Sequence, residues 1–234
     1  MISPLFSYLL IPFIIAMFLA VTMGGSGTAP AFSAAYGANV IRKSLIPGLF
    51  GIMVFLGAII AGKGTATTMG RGLLNPEMMS FTVVSIILFS VAISLLIANL
   101  FGIPQSTSQA TVMSVVAPAL YFSELNSSKL LLEIIPTWFI LPIISFFISL
   151  FLGKYIYRPM RKRGYTMTRA TKVNMNPIWN GIILLMSLYV AFSIGANNVA
   201  NAAGPIAAMT ANELNISIDE NFILIMILAT LIVA

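Results

Sequence analysis

Apolar residues of this chain fall into long runs that are separated by short polar stretches. The long runs lie at about 2–23, 80–101, 131–157 and 178–194, and the shorter runs lie at about 45–61, 109–122, 199–212 and 221–234. A helix that crosses a bilayer needs roughly 20 apolar residues. The pattern therefore predicts an all-α integral membrane protein, built as a polytopic bundle of helices.

Three polar stretches interrupt or adjoin the apolar runs. They are rich in Gly, Ser, Thr, Asn and Pro, and they lie at Met23–Asn39, Gly102–Thr111 and Ile194–Pro205. Irregular backbone at membrane depth is tolerated only inside the protein or around a water-filled cavity, because lipid offers no hydrogen-bond partners. Short or interrupted segments in both halves of a membrane chain indicate the binding site of a transporter. We therefore expect broken or re-entrant helices around a ligand site.

The first and third polar stretches form a weak internal repeat. At an offset of 171 residues, Gly24 aligns with Gly195 and Ala29 with Ala200. The repeat predicts a first transmembrane repeat at 1–157, a basic cytoplasmic linker at 158–177 and the start of a second, incomplete repeat at 178–234. The last apolar run ends without a polar flank, so we expect the sequence to be a fragment.

Composition and charge narrow the class of protein. Hydrophobic residues make up 59% of the chain and charged residues 8%, whereas soluble domains carry about 45–50% and about 25%. Half of the 12 Lys and Arg residues fall within one loop between positions 158 and 172. This is typical of a cytoplasmic loop, or alternatively of a patch that binds lipid headgroups. We expect a multi-pass protein of the cell membrane whose partner is the lipid bilayer and not nucleic acid.

Side chains suited to catalysis are scarce. The chain contains no Cys and no His, which removes thiolate nucleophiles and the commonest metal ligand. The six carboxylates all lie near predicted loops or span ends, and they are Glu77, Glu124, Glu133, Glu213, Asp219 and Glu220. We therefore expect neither an enzyme nor a metal or organic cofactor.

Three strings of residues resemble the inorganic phosphate transporter family. GANNVANAAGP at 195–205 is similar to the family signature G-A-N-D-V-A-N-A, and GIPQSTSQATV at 102–112 is similar to its G-x-P-V-S-T-T-H-A-I-V. The stretch at 55–74 resembles the segment after the family's first signature, and the three strings occur in the family's order. The resemblance implies two inverted repeats, transport by alternating access and a homodimer.

Departures from the family strings resemble the sulfate permease branch. Members that couple phosphate to sodium carry Asp at the fourth signature position, whereas this chain has Gly27 in the first copy and Asn198 in the second. Ser26 and Pro30 replace the Asn residues of the first copy, and Gln109 replaces the His after S-T-T. The resemblance implies sulfate as the substrate, with phosphate as the alternative.

An oxyanion needs hydrogen-bond donors and positive potential, which a helix N-terminus supplies. A half-helix that starts near Pro104 would place the hydroxyl and N–H groups of Ser106, Thr107 and Ser108 in its first turn. The helix dipole is positive there, and the free N–H groups bind anions. Alternatively, these hydroxyls cap the helix or bond to a neighbouring helix.

Amides and glycines of the two signature copies complete the predicted site. Asn197 and Asn201 are four residues apart and share a face if the segment is helical. They bind the anion, a small cation through their carbonyl oxygens, or a neighbouring helix. The glycines of the first copy bring backbone near the ligand or permit close helix packing. The predicted substrate-binding residues are Gly24, Gly25, Ser26, Gly27, Ser106, Thr107, Ser108, Gln109, Asn197, Asn198 and Asn201.

The missing signature carboxylates favour sulfate on chemical grounds. Phosphate near neutral pH carries at least one O–H that a carboxylate accepts, whereas sulfate offers only acceptors. Their loss also weakens a sodium site, because hard cations prefer anionic oxygen ligands. We therefore predict a secondary sulfate transporter that works by symport with a coupling ion, a proton in preference to sodium. A phosphate permease, and a non-transporting membrane scaffold or receptor subunit, stay open as alternatives.

Overall fold

The computed structural model describes residues 4–159 and 177–214, and all regular structure in these ranges is helical. The α-helices in these ranges are α1 (Pro4–Gly37), α2 (Ile46–Ala61), α3 (Lys63–Thr67), α4 (Phe81–Leu100), α5 (Thr107–Tyr121), α6 (Ile135–Phe151), α7 (Pro177–Ile194) and α8 (Ala200–Leu214). Short 3-10 turns lie at Lys43–Leu45 and Pro76–Met78, and π-helical turns lie at Thr68–Gly72, Lys129–Ile134, Leu152–Tyr157 and Gly195–Val199. The predicted all-α class is confirmed.

Five helical runs in the described ranges are long and apolar enough to cross a membrane. They are Leu10–Gly37, Lys43–Ala61, Phe81–Leu100, Lys129–Tyr157 and Pro177–Glu213. The chain is therefore a multi-pass membrane protein, as its hydropathy predicts. The predicted span at 221–234 and most of the predicted linker at 158–177 lie outside the described residues.

The short apolar run predicted at 109–122 is a half-helix. α5 contains 15 residues, which corresponds to a length of about 22 Å at 1.5 Å per residue. The hydrocarbon core of a bilayer is about 30 Å thick, so α5 alone does not cross it. The expectation of a broken helix at the second polar stretch is therefore confirmed.

The first polar stretch is helical, contrary to the irregular backbone expected for 23–39. α1 runs unbroken through the stretch as far as Gly37. Ser26 Oγ donates to the carbonyl oxygen of Met23 at 2.9 Å, and Thr28 Oγ1 donates to that of Gly24 at 2.8 Å. The polar groups are thus satisfied within the helix, which is what an apolar surrounding requires.

The two runs predicted at 178–194 and 199–212 form one continuous helical segment. α7 passes into α8 through the π turn Gly195–Val199, which contains the signature string. Single π turns inside longer helices occur frequently at functional sites. The third polar stretch is therefore an altered helix and not a loop.

Internal contacts divide the described chain into two compact units. The first holds the described residues up to 125 and from 180 onward, and the second holds those from 126 to 179. In the first unit, α1 packs along α4, and Leu19, Ile87 and Val91 are fully buried. The second unit contains α6 and the π turns on either side of it. The predicted repeat boundaries rest on the similarity of the signature copies and stay a prediction.

Glycines let two pairs of helices in the first unit touch through their backbones. A Cβ on Gly57 of α2 would clash with the carbonyl oxygen of Phe192, and Gly195 makes the reciprocal approach to α2. At the second crossing, a Cβ on Gly70 would lie 2.6 Å from the carbonyl oxygen of Gly204 in α8. Small residues are the usual means by which membrane helices approach this closely. The two crossings fix the positions of α8 and of the π turn Gly195–Val199, which is called the π turn from here on.

Candidate functional site

The first turn of α5 begins at Thr107, later than the sequence predicts. Pro104 lies outside the helix, because the residues before Thr107 have no helical structure. Ser106 is the N-cap, and its Oγ accepts a hydrogen bond from the N–H of Gln109 at 3.3 Å. This is the capping role that was the alternative to anion binding. The hydroxyl hydrogen of Ser106 can still be donated.

A run of backbone donors opens the half-helix. Within the described part of the chain, none of the N–H groups of Gln105, Ser106, Thr107 and Ser108 donates to a backbone carbonyl. They lie at the end of α5 where the helix dipole is positive. A helix N-terminus with unused N–H groups is a favourable place for an anion.

Ser108 connects the half-helix to the second signature copy. Its Oγ donates to Asn197 Oδ1 at 3.1 Å and accepts from Asn201 Nδ2 at 3.1 Å. Both asparagines meet the same hydroxyl, so they share a face as their spacing predicts. We call Ser108, Asn197 and Asn201 the amide–hydroxyl cluster.

The hydrogen bonds of the cluster set the direction of each amide. Asn197 directs its oxygen to Ser108, so its NH₂ group points away from Ser108 on an exposed side chain. Asn201 is fully buried, at 0% exposed, and its Oδ1 has no partner among the described residues. An unpaired buried acceptor costs about 1–3 kcal/mol. Asn201 Oδ1 is therefore a buried acceptor that the described residues leave unpaired.

Other side chains near the start of α5 face different surroundings. Thr107 is buried, at 6% exposed, and its carbonyl oxygen accepts from Thr111 Oγ1 at 2.9 Å. The side chain of Gln109 is exposed. The side chain of Thr107 thus lies in the protein interior, and its N–H has no backbone partner among the described residues.

The first signature copy is not joined to the cluster. Residues 24–27 all lie inside α1, and no hydrogen bond among the described residues connects them to Ser108. Because a continuous helix uses the N–H groups of these residues, they offer no glycine turn, and substrate binding by Gly24, Gly25, Ser26 and Gly27 stays a prediction. Gly27 instead permits close packing, since a Cβ there would lie 3.1 Å from Phe50 Cζ. The other two glycines have open space around them.

A pocket of about 240 Å³ lies between α1, α2 and the π turn. Asn198 and Gly24 line it, together with apolar side chains that include Phe50, Val54 and Ile194. Asn198 therefore lines this pocket, whereas its neighbouring amides Asn197 and Asn201 do not, although the sequence groups all three. A mainly apolar lining does not compensate the desolvation of a dianion.

The amide–hydroxyl cluster consists of neutral groups. The signature positions that hold Asp in sodium-coupled members are Gly27 and Asn198 here. In the ranges 4–159 and 177–214, no group of three or more acidic, His or Cys side chains could hold a metal ion. The chemistry that the cluster offers is hydrogen bonding by amides and a hydroxyl.

Two parts of the site were not anticipated from the sequence. Gln105 Nε2 donates to Ser94 Oγ of α4 at 2.6 Å, just before the half-helix. Gly57 sets the approach of α2 to the π turn. The sequence feature that could have drawn attention to Gln105 is its departure from the family string, which has Val at this position. For Gly57 the available signal is its small-residue surroundings, which do not identify the helix it meets.

Fold and site together define a multi-pass helical membrane protein in which a half-helix meets a π turn at a polar cluster. Residues 23–234 match the phosphate transporter family. The chain belongs to that family, and the resemblance seen in its three strings is confirmed.

Individual relatives differ in the anion that they are named for. The sulfate permease CysP of Bacillus subtilis is 35% identical over 196 residues, which cover 82% of this chain and 52% of that protein. A Thermococcus kodakarensis protein named as a phosphate permease is 25% identical over 274 residues, which cover 87% of this chain and 67% of that protein. This chain thus spans about half the length of the Bacillus relative.

A solved structure has the same fold. It is that of a sodium-dependent phosphate transporter, and it matches with a TM-score of 0.74 at 20% sequence identity. The match covers 97% of this chain and 74% of that chain. At this identity the likeness concerns the arrangement of helices and not the ligand.

Proposed function

We propose that this protein is a secondary transporter that moves inorganic sulfate across the cell membrane, and not an enzyme. The observation that carries the proposal is the amide–hydroxyl cluster at the start of α5. The hydrogen bond to Ser108 places Asn197 beside the half-helix and leaves the NH₂ group of Asn197 to donate, and the first N–H groups of the half-helix have no backbone partner among the described residues. Such a donor-rich, uncharged surface suits an anion that has only acceptors.

Chemical differences between the two candidate anions support sulfate. Sulfate at neutral pH carries no proton, so every oxygen accepts hydrogen bonds. A carboxylate beside it would repel it, whereas phosphate can donate its remaining O–H to a carboxylate. The neutral Gly27 and Asn198 remove that carboxylate from both signature copies. The Bacillus sulfate permease among the relatives agrees with this choice.

The proposed coupling ion is a proton. Sodium is a hard cation that prefers anionic oxygen ligands, and both signature positions lack a carboxylate. We include symport, alternating access and a homodimer in the proposal on the grounds of family membership. This part of the proposal departs from the structural neighbour, which is named as sodium-dependent.

Phosphate is the second candidate, and one observation favours it. The unpaired, buried Oδ1 of Asn201 could accept a hydrogen bond from the O–H of a protonated oxyanion. Sulfate has no such hydrogen. A preference for phosphate would therefore give this oxygen a partner.

Uptake of labelled sulfate into proteoliposomes tests the proposal. An inward proton gradient is compared with an inward sodium gradient, each with and without excess phosphate. We expect uptake that follows the proton gradient and resists phosphate. Uptake that phosphate abolishes and sodium drives would identify a sodium-coupled phosphate carrier. No uptake of labelled sulfate under any gradient, and none of labelled phosphate in a parallel measurement, would favour the scaffold or receptor alternative.

A further inference from the structure

The segment that leads into the half-helix makes a side-chain hydrogen bond to α4, against which α5 also packs. Gln105 Nε2 donates to Ser94 Oγ at 2.6 Å, and both side chains are half-buried. Ser94 lies in the interior of α4, which packs against α1. The bond therefore ties the start of α5 to one of the most buried helices of the first unit.

Backbone hydrogen bonds do not link Pro104, Gln105 or Ser106 to α4. The turn before the segment is closed at Ile103, whose N–H donates to the carbonyl oxygen of Ala98 at 2.8 Å. Pro104 has no N–H, and those of Gln105 and Ser106 have no backbone partner within the described residues. Between Ile103 and the first turn of α5, the side chain of Gln105 supplies the link to α4.

We propose that Gln105 is a positioning residue for the anion site: by bonding Ser94, it holds the N–H groups of Thr107 and Ser108 in register with Asn197. The inference rests on the proposed function of this site in oxyanion binding. A fully ionised oxyanion is bound by several donors at once, so a small displacement of one set weakens all of them. Valine, which the family string has at this position, cannot donate to Ser94.

Gln105 thereby contributes to the choice between the two oxyanions. Sulfate depends entirely on donors supplied by the protein. A protonated phosphate can also donate a hydrogen bond, so its binding depends less on the donors that the protein supplies. Loosening the donors of the half-helix therefore harms sulfate binding more than phosphate binding.

Equilibrium binding of labelled sulfate to the full chain in lipid nanodiscs tests the inference. We expect Gln105→Val and Ser94→Ala each to weaken sulfate binding about fivefold, which is the usual weight of one neutral hydrogen bond. The double variant should be no weaker than either single variant, because both changes remove the same bond. Inhibition by phosphate should become relatively stronger in each.

The exchanged pair, Gln105→Ser with Ser94→Gln, separates positioning from a general loss of fold. It keeps a donor and an acceptor facing each other, so sulfate binding should recover to within about twofold. Ser90→Ala is the matched control for Ser94→Ala, because Ser90 is an exposed serine one turn earlier in α4. Ser94→Ala itself removes only an oxygen and is expected to keep the thermal unfolding of the parent.

The outcomes distinguish the inference from the proposed function. Normal sulfate binding by Gln105→Val, together with clearly weaker binding by Ser108→Ala, overturns the positioning role and leaves the function intact. Additive losses in the double variant also overturn it. A parent protein that binds neither sulfate nor phosphate overturns the proposed function and this inference with it.

Discussion

The polar side chains of the two signature copies find different hydrogen-bond partners, within the same helix in one copy and on another helix in the other. In α1, Ser26 and Thr28 donate to carbonyl oxygens of their own helix. In the second copy, Asn197 and Asn201 bond to Ser108, which is 89 and 93 positions away in the chain. Similar patterns of small residues therefore produce a closed helix in one place and a contact between helices in the other.

The type of polar residue explains this difference. A hydroxyl inside a helix can donate to the carbonyl oxygen one turn back. A primary amide has two donor hydrogens and an acceptor oxygen. One helical turn does not supply partners for all of these groups, so the amide bonds to a neighbouring helix. Residue chemistry, and not the glycine pattern, thus explains why only the second copy bonds to the half-helix among the described residues.

Disturbing the helix crossing between Gly57 of α2 and Phe192, next to the second signature copy, should have the largest effect on stability. Gly57→Ala places a methyl group against the backbone carbonyl of Phe192, which cannot rotate away. Overpacking of this kind costs about 1–3 kcal/mol and occasionally more. We expect a lower unfolding temperature and loss of monodisperse protein in detergent.

Gly48→Ala is the control for that variant. Gly48 lies in the same helix, and a Cβ there would meet nothing within 4 Å. Alanine is favoured over glycine in a helix by about 0.5–1 kcal/mol, so the unfolding temperature should hold or rise. Equal behaviour of the two variants would contradict the backbone crossing.

Introducing a carboxylate should show whether the anion binds at the amide–hydroxyl cluster or in the pocket. Asn197→Asp places a negative charge beside Ser108, where like charges would oppose an anion at a cost of several kcal/mol. We expect uptake of sulfate to fall by about a hundredfold or more. Asn198→Asp places the charge in the apolar pocket and should lower uptake less. A larger loss in Asn198→Asp would show that the pocket is the anion site.

Removing a hydroxyl from each copy sharpens the comparison. Ser108→Ala deletes the centre of the amide–hydroxyl cluster, and we expect the KM for sulfate uptake to rise about tenfold, equivalent to about 1.4 kcal/mol. Thr28→Val deletes a first-copy hydroxyl whose partner is its own helix. Its KM should change less than about twofold. Similar losses in both variants would mean that the first copy also binds the anion.

Filling the pocket should have the smallest effect. Gly51 lines the pocket, and a side chain there would enter open space. Gly51→Leu is therefore expected to keep sulfate uptake within about twofold of the parent. The measurement is the initial rate of uptake at saturating sulfate. A strong loss would assign the pocket a part in the transport path.

Several elements could be predicted because they depend on local pattern. The spans at 45–61, 80–101 and 131–157 coincide with apolar helices of the structure. The half-helix follows from a short apolar run behind a Ser and Thr stretch. Asn197 and Asn201 share a partner because residues four apart lie on one face of a helix.

Other elements escaped prediction because the deciding partner is distant in sequence. α1 continues through a stretch rich in glycine and proline where the sequence predicts irregular backbone, and the hydroxyls of that stretch bond within the helix. Asn198 was grouped with its neighbours, yet it lines the pocket that α1 and α2 form. Gln105 acquires its role only when α4 brings Ser94 within 2.6 Å.

The sequence by itself determined the multi-pass helical class, the family and the strings that carry the candidate site, because hydropathy and motifs are properties of neighbouring residues. The tertiary structure alone decided which polar groups meet. It buried Asn201 and left its oxygen without a partner within the described ranges. It also brought Gly57 onto the backbone of another helix. Such contacts depend on how closely helices pack, which no local sum of propensities contains.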